Sequence, residues 1–337
     1  MNNIIEKIKT EEQITFIENT FLSLYTKELN LIKVDAPIIV ESGKGINDDL
    51  NGVERPIKFD TKDGSIPCEI VQSLAKWKRM KITEYNMEPE TGIITNMTAI
   101  RMDEKMDDIH SIIVKQWDYE LSIKETDRNI EYLKMIVKRI YKVLYEVTKL
   151  VEEKYNIQNT LPPNIQFIHS EELYNKYPNL TPKQREDEIC KEFGAVFIIG
   201  IGSKILNTNQ EHDLRAPDYD DWTTLTNAEK EFRGLNGDIL VWNTVLGRAF
   251  EVSSMGIRVN KESLNEQLKL TNTENRKNLL YHKMLMDGQL KQTLGGGIGQ
   301  SRLEMFCLHK KHIGEVISTV WSKEIRDECI NKKINLL

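Results

Sequence analysis

The sequence predicts an α+β protein, an antiparallel sheet with helices packed around it, folded as one domain over residues 1–337. Three observations carry that expectation. Residues 93–101 and 109–120 alternate like paired strands, and 237–244 with 249–259 read as a hairpin. Between these pairs, Asp127 to Tyr155 sets Ile130, Leu133, Val137, Ile140, Leu144, Val147 and Val151 on one stripe, as in a long amphipathic helix. Near the C-terminus, Leu294-Gly-Gly-Gly-Ile-Gly-Gln-Ser-Arg302 describes a strand that turns into a helix.

The remaining elements follow in order. Thr10-Glu-Glu-Gln13 has capping-box spacing, and Ile14, Ile17, Phe21 and Leu24 recur at helical intervals, so a helix is expected from there to about Leu29. Leu31 to Val40 reads as a strand whose Pro37 removes a ladder donor, which places it at an edge or an interface. Residues 41–53 form a polar, glycine-containing loop, and Ser73 to Met80 a short helix. Thr181-Pro182-Lys-Gln184 orders an N-cap, a proline at the first helical position and a capping-box partner. Gly194 stops that helix before the apolar strand Ala195 to Ile201. A helical region from Asn260 to about Gly288 precedes the glycine strand. No repeat, low-complexity tract or Pro/Gly/Ser-rich linker cuts the chain.

Composition narrows the function classes. With 29% charged and 39% hydrophobic residues, the chain has the balance of an ordinary globular protein. A net charge of −6 argues against a large non-specific nucleic-acid surface, although a local basic patch stays open. Cys68, Cys190, Cys307 and Cys329 contain no C-x-x-C pair, which argues against a zinc site or disulfide framework and for reduced thiols in the cytoplasm. Charges interrupt the first residues, unlike a signal peptide, and the longest apolar run, 195–201, is far short of the roughly 18–20 residues that cross a bilayer. A soluble, cytoplasmic protein without membrane contact is expected.

Six clusters could carry chemistry, and each has a plainer reading beside it. In the glycine strand, Gly295, Gly296 and Gly297 would let a flat ligand lie against the backbone, and Arg302 could stack on a ring or fork a phosphate. A glycine-rich turn with a solvated arginine fits equally. The spacing matches neither a P-loop nor a G-x-G-x-x-G fingerprint. Arg101 ends a strand before an acidic loop with Asp103 and Glu104; it could grip a phosphate or carboxylate bidentately, or belong to a surface charge run. Gln116, Asp118 and Glu120 share one strand face, as a site or as a solvent face. Gln72-Ser73 with Lys76, Lys78 and Arg79 opens a helix, suited to an anion or to solvent. Asp238 and Glu251, one on each hairpin arm, could share a hard divalent cation or be structural. The loop Arg215-Ala-Pro-Asp218-Tyr-Asp220-Asp221-Trp is suited to an ammonium group or to a rigid turn. The six histidines show no catalytic or metal-binding pattern.

Taken together, the proline-bearing strand after a helix, the strand-ending Arg101 and the glycine strand leading to Arg302 resemble the three motifs of class II aminoacyl-tRNA synthetases. Gln72-Ser73…Lys78 resembles the amino-acid loop of aspartyl-tRNA synthetases. Asp103 stands where that superfamily usually has Glu, which leaves the roles of Asp103 and Glu104 open. Ser73 to Arg79, Gln116-Trp-Asp118, Arg215 to Trp222, Leu235 to Asn243, Ser253 to Arg258 and Gly295 to Arg302 are similar, in the same order, to the bacterial ammonia-dependent asparagine synthetases, the aspartate–ammonia ligases. The resemblance therefore implies a class II synthetase-like antiparallel sheet flanked by helices. With the first motif starting near residue 10, no anticodon-binding barrel is expected, and no cysteine is placed as expected for releasing ammonia from glutamine.

That resemblance implies synthesis of asparagine from L-aspartate, ammonia and ATP through a β-aspartyl adenylate, with AMP and pyrophosphate released. It implies Arg101 at the α-phosphate, Arg302 at the adenine and distal phosphates, and Ser254, Arg258 and Gly295–Gly297 around the ATP. Asp238 and Glu251 are the implied Mg²⁺ carboxylates. Ser73 and Lys78 would take an aspartate carboxylate, while Asp48, Gln116, Asp118 and Asp220 surround the amino group and the ammonium. Asp48 and Asp118 are the candidate proton acceptors. A homodimer built on residues 10–39 is also implied. Two other readings stay open: an aspartyl- or asparaginyl-tRNA synthetase paralogue, and a non-catalytic synthetase-like regulatory subunit.

Overall fold

A computed structural model describes residues 2–48, 50 and 54–337; of the loop expected over 41–53, residues 49 and 51–53 lie outside the described residues. Helix α1 (Asn2–Leu29) begins well before Thr10. No Gly or Pro interrupts residues 2–9, so the helix runs through them. Thr10 is an interior position whose hydroxyl accepts from Lys310 Nζ at 3.1 Å instead of capping. The single strand expected over 31–40 is two, β1 (Leu31–Lys33) and β2 (Ile39–Glu41), separated around Pro37. Strand β2 joins β3 (Lys58–Asp60) and β4 (Pro67–Ile70) in a small sheet ordered β2-β4-β3.

Helix α2 (Ala75–Glu84) leads to the antiparallel pair β5 (Gly92–Ile100) and β6 (Ile113–Ser122). In α3 (Ile130–Tyr155), Asn129 caps the start by accepting from Tyr132 N–H, and Leu133, Val137, Ile140, Leu144, Val147 and Val151 are buried as the stripe requires. Strand β7 (Gln166–His169) and helix α4 (Ser170–Lys176) precede α5 (Pro182–Phe193). Thr181 and Gln184 close the expected capping box, and Gly194 ends the helix at φ +77°, where a Cβ would be strained. After β8 (Ala195–Ile199) come a small hairpin, β9 (Leu225–Asn227) with β10 (Phe232–Arg233), and the expected long hairpin, β11 (Asn236–Asn243) with β12 (Arg248–Ile257). Helices α6 (Lys261–Leu270) and α7 (Leu280–Met286), strand β13 (Thr293–Gly299), and helices α8 (Gln300–Cys307) and α9 (Lys323–Asn331) complete the chain.

The eight-stranded main sheet runs β1-β5-β6-β13-β12-β11-β8-β7. It is antiparallel except at its two edges, where β1 pairs with β5 and β7 with β8 in parallel. One face carries Trp117, Tyr119, Leu121, Ile239, Met255 and Ile298 into the core beneath α1 and α3. There Phe21 stacks on Trp117 with ring centroids 4.2 Å apart. Two-residue periodicity therefore turns Gln116, Asp118 and Glu120 to the other face. Asp118 and Glu120 are 2% and 0% exposed, so their face is an interior one and the solvent reading is excluded.

Candidate active site

A cleft of about 330 Å³ opens on that second face, in the size range of small-molecule sites. Gln116, Asp118, Gly296, Gly297, Ser254 and Arg258 line its floor, while Ser73, Lys78, Arg101, Glu251 and Arg302 line its walls.

The glycine strand makes room for the acids beside it. Gly295, Gly297 and Gly299 pair across the sheet with Glu120, Asp118 and Gln116. A Cβ on Gly297 would collide with Asp118 Oδ1 and lie 2.7 Å from Gln116 Oε1, and one on Gly295 would collide with Glu120 and lie 2.6 Å from Arg258 Nη2. Gly296 serves differently: its carbonyl accepts from Lys78 Nζ at 3.0 Å. Lys78 Nζ is also 3.4 Å from Asp118 Oδ2, which has no hydrogen bond of its own.

The start of α2 is inside the protein, so Lys76, Lys78 and Arg79 are not a solvated helix face. Lys76 Nζ bridges Asp48 at 3.3 Å and Asp218 at 3.2 Å, and Arg79 donates to the Val259 and Lys291 carbonyls. Asp48 Oδ2 accepts the Ala75 N–H at 3.0 Å, tying the 42–48 loop to the start of the helix. Burial pushes the Asp48 carboxyl up to about 6, against the pull of Lys76 and the Ser73 hydroxyl. Asp48 is fully buried and is not among the cleft-lining residues, whereas Asp118 is.

Arg258 is committed to its neighbours. It donates to both carboxylate oxygens of Glu120 at 2.9 and 2.7 Å, and to Asp220. Thr293 Oγ1 adds a 2.7 Å bond to Glu120. Burial raises the Glu120 carboxyl, but Arg258 outweighs it and holds Glu120 below the ordinary range. The 215–221 loop is likewise internally paired: Asp218 holds Lys76, Arg276 and His282, and Asp221 holds Arg128. Of its acids, Asp220 lines the cleft.

At the other end, Arg101 Nε and Nη2 donate to the Gln72 carbonyl at 3.3 and 3.2 Å. Arg302 Nη1 donates to the Glu251 carbonyl at 3.1 Å and lies 3.6 Å from its carboxylate. A register shift between Ile239 and Leu240 pairs Leu240 with Glu251, so Val252 is an extra residue that turns Glu251 and Ser254 to the same face. Asp238 Oδ2 accepts from Arg215 at 2.5 Å, while its Oδ1 is buried without a hydrogen-bond partner. Burial raises the Asp238 carboxyl to about 6; Arg215 opposes the rise and Glu251 adds to it. Glu251 is itself held below the ordinary range: burial raises it, and Arg302, Lys183 and Arg215 outweigh that. Two adjacent carboxylates with an orphaned oxygen are hard donors that fit Mg²⁺, an ion that keeps several waters and phosphate oxygens. Among the described residues, no group of three or more His, Cys, Asp or Glu suited to a metal occurs.

The sequence missed several cleft residues. His110, read as isolated, lines the cleft with Nδ1 2.9 Å from Asp107 Oδ1. Glu104 lines it too, whereas Asp103 turns away to Arg55, whose Nε lies 3.0 and 3.1 Å from the two carboxylate oxygens. Adjacent acids in one loop give no signal of which faces inward. Asp238, predicted with Glu251, lies behind the cleft lining, joined to it through Arg215.

Comparison with known proteins is consistent with this geometry. The family model described as aspartate-ammonia ligase matches residues 8–333. A Parabacteroides distasonis protein named aspartate–ammonia ligase is 52% identical over 323 residues, covering 95% of this chain and 93% of its own. One of the same name from Bacteroides thetaiotaomicron is 50% identical over 336 residues, with 99% and 96% covered. Among solved structures, an Entamoeba histolytica asparaginyl-tRNA synthetase in complex with asparaginyl-adenylate is similar in fold, with a TM-score of 0.67 at 14% identity. It matches 93% of this chain, which spans only 66% of that one. The Pyrococcus horikoshii asparaginyl-tRNA synthetase, also with asparaginyl-adenylate, gives 0.67 at 14% identity over 92% of this chain and 68% of its own.

Proposed function

The chain belongs to the aspartate–ammonia ligase family, and from that premise we propose that this cleft joins free ammonia to the side-chain carboxylate of L-aspartate at the expense of ATP. The observation that carries the reading is one cleft with cations at two stations: Lys78 beside Asp118, and Arg101 near Arg302, which itself pairs with Glu251. The first suits a small zwitterion and the second a triphosphate.

In the first step, a β-carboxylate oxygen of aspartate attacks the α-phosphorus, the bond to the β-phosphate breaks and pyrophosphate leaves. Arg101 opposes the charge that develops on the α-phosphate, and Arg302 with His110 holds the leaving phosphates. Gly297 supplies the open floor, while Lys78 and Ser73 hold the second carboxylate and Asp118, Gln116 and Asp220 receive the amino group. Asp220 is oriented for this by Arg258, which thus acts from beneath the nucleotide rather than on it. Asp238 and Glu251 would hold Mg²⁺, which supplies charge neutralisation at the phosphates.

In the second step, neutral ammonia attacks the β-carbonyl carbon, AMP leaves with its oxygen, and one carboxylate takes the ammonium proton. Asp118 and Asp48 are the candidates, and Asp118 is the one that lines the cleft. Comparing Asp118→Asn with Asp48→Asn at saturating aspartate, ATP and ammonium separates them: the acceptor's loss lowers amidation while adenylate formation persists.

We further propose a homodimer in the cytoplasm. Ile32, Ile38 and Ile39 are 52%, 57% and 45% exposed on the β1–β2 segment, which supports a covered interface there. Phe21 and Ile14, by contrast, are buried within the chain and do not report on it. The four thiols are buried and unpaired, as a reducing compartment allows.

Pyrophosphate release with ATP, Mg²⁺ and aspartate, with and without ammonium, glutamine or tRNA, tests the reading. Stimulation by ammonium alone is expected. A requirement for tRNA would instead favour a tRNA synthetase paralogue.

A further inference from the structure

We infer that Asn47, the residue before Asp48 in the 42–48 loop, is a positioning residue for Arg101, acting through the peptide backbone of Gln72. The inference rests on the reading of Arg101 as the α-phosphate group.

Asn47 is 9% exposed and uses both ends of its amide. Its Nδ2 donates to Glu69 Oε2 and to the Ile70 carbonyl, each at 3.0 Å, and its Oδ1 accepts the Gln72 N–H at 2.8 Å. The carbonyl of the same Gln72 accepts Arg101 Nε and Nη2 at 3.3 and 3.2 Å. Gln72 is thus gripped on its N–H by the loop and on its carbonyl by the phosphate arginine. Its own side-chain amide is buried without a hydrogen bond on either atom, so the main chain alone makes these links.

The grip continues one residue on. Asp48 Oδ2 accepts the Ala75 N–H at 3.0 Å, so two consecutive loop residues fix residues 72 and 75. Ser73, assigned to the aspartate carboxylate, lies between these anchors. A guanidinium held on a single carbonyl is as well placed as that carbonyl is, and small displacements of a catalytic group are costly. Without Asn47 Oδ1, the Gln72 N–H loses its partner inside the protein and the 70–75 turn loses its anchor. Arg101 then keeps its charge and its hydrogen bond but points from a shifted base.

The test is a double-mutant cycle on adenylate formation, read as the pre-steady-state pyrophosphate burst with ATP, Mg²⁺ and aspartate. Asn47→Ala is expected to slow the burst about 10- to 100-fold, while the dissociation constant for ATP moves far less. In an Arg101→Lys background the same change is expected to cost no more than about twofold, because the group it positions is already gone. Asn47→Ser, shorter in reach, runs the same cycle if Asn47→Ala is not stably folded. Equal costs in the two backgrounds overturn the inference and leave the Arg101 reading standing. A normal burst in Arg101→Lys alone removes that reading and the inference with it.

Discussion

The Lys78 ammonium donates to the Gly296 carbonyl at 3.0 Å and stands 3.4 Å from Asp118 Oδ2, with both side chains almost wholly buried. One bond and one loose ion pair leave an ammonium with donor capacity for an incoming carboxylate. Lys78→Ala should therefore weaken aspartate binding and leave ATP affinity near normal. It also strands Asp118, and breaking a buried pair costs about 3–5 kcal/mol. The Tm of Lys78→Ala should fall, and adding Asp118→Asn should recover part of the loss. Titration calorimetry and thermal melts check both; normal aspartate affinity would move the carboxylate site elsewhere.

Arg101→Lys keeps a charge but loses the planar fork that holds the Gln72 carbonyl through Nε and Nη2. Loss of a preorganised donor at a developing oxyanion costs about 3–4 kcal/mol, or roughly 10²–10³ in rate. Adenylate formation should slow by that order while aspartate affinity stays nearly unchanged. A normal burst with weakened aspartate binding would exchange the roles of Arg101 and Lys78.

Gly297→Ala tests the floor. Its Cβ would meet Gln116 Oε1 at 2.7 Å and collide with Asp118 Oδ1, so both side chains must move. The KM for aspartate should rise more than the KM for ATP. Equal changes in both would mean that the glycine serves the nucleotide.

Asp238 gives a pH signature. Its carboxyl is raised from 3.8 to about 6, chiefly by burial. The folded chain therefore binds this proton more tightly than the unfolded chain. The stability Asp238 contributes is fully present below about pH 4 and is lost as pH rises through 6. Metal binding needs the charged form, so Mg²⁺ affinity should fall as pH drops through about 6, with proton uptake by Asp238. Asp48 titrates in the same direction and range, so the comparison must be with Asp238→Asn, in which this pH dependence should vanish. Calorimetric Mg²⁺·ATP titrations between about pH 5 and 8 measure it; the same dependence in both proteins would remove Asp238 from the metal site.

What the sequence revealed was local. Alternation placed β5, β6, β11 and β12, a capping box and a glycine bounded α5, and the glycine strand passed into the helix that carries Arg302 as expected. The same local logic failed at Thr10, where the capping pattern lies inside a longer helix. The site's internal wiring is non-local and left little trace. Arg258 meets Glu120 across 138 residues, Lys76 meets Asp218 across 142, and Arg101 meets the Gln72 carbonyl across 29. Each of these groups looks like a surface charge until the sheet brings its partner alongside. The Val252 bulge that aligns Glu251 with Ser254 is likewise a property of pairing, not of either strand alone.

The most direct measurement follows oxygen. Aspartate carrying ¹⁸O in its side-chain carboxylate is turned over with ATP, Mg²⁺ and ammonium, and the products are weighed by mass spectrometry. Attack of that carboxylate on the α-phosphorus followed by ammonia requires asparagine, pyrophosphate and AMP bearing one ¹⁸O. Unlabelled AMP, label in inorganic phosphate alongside ADP, or turnover that needs tRNA would contradict the account.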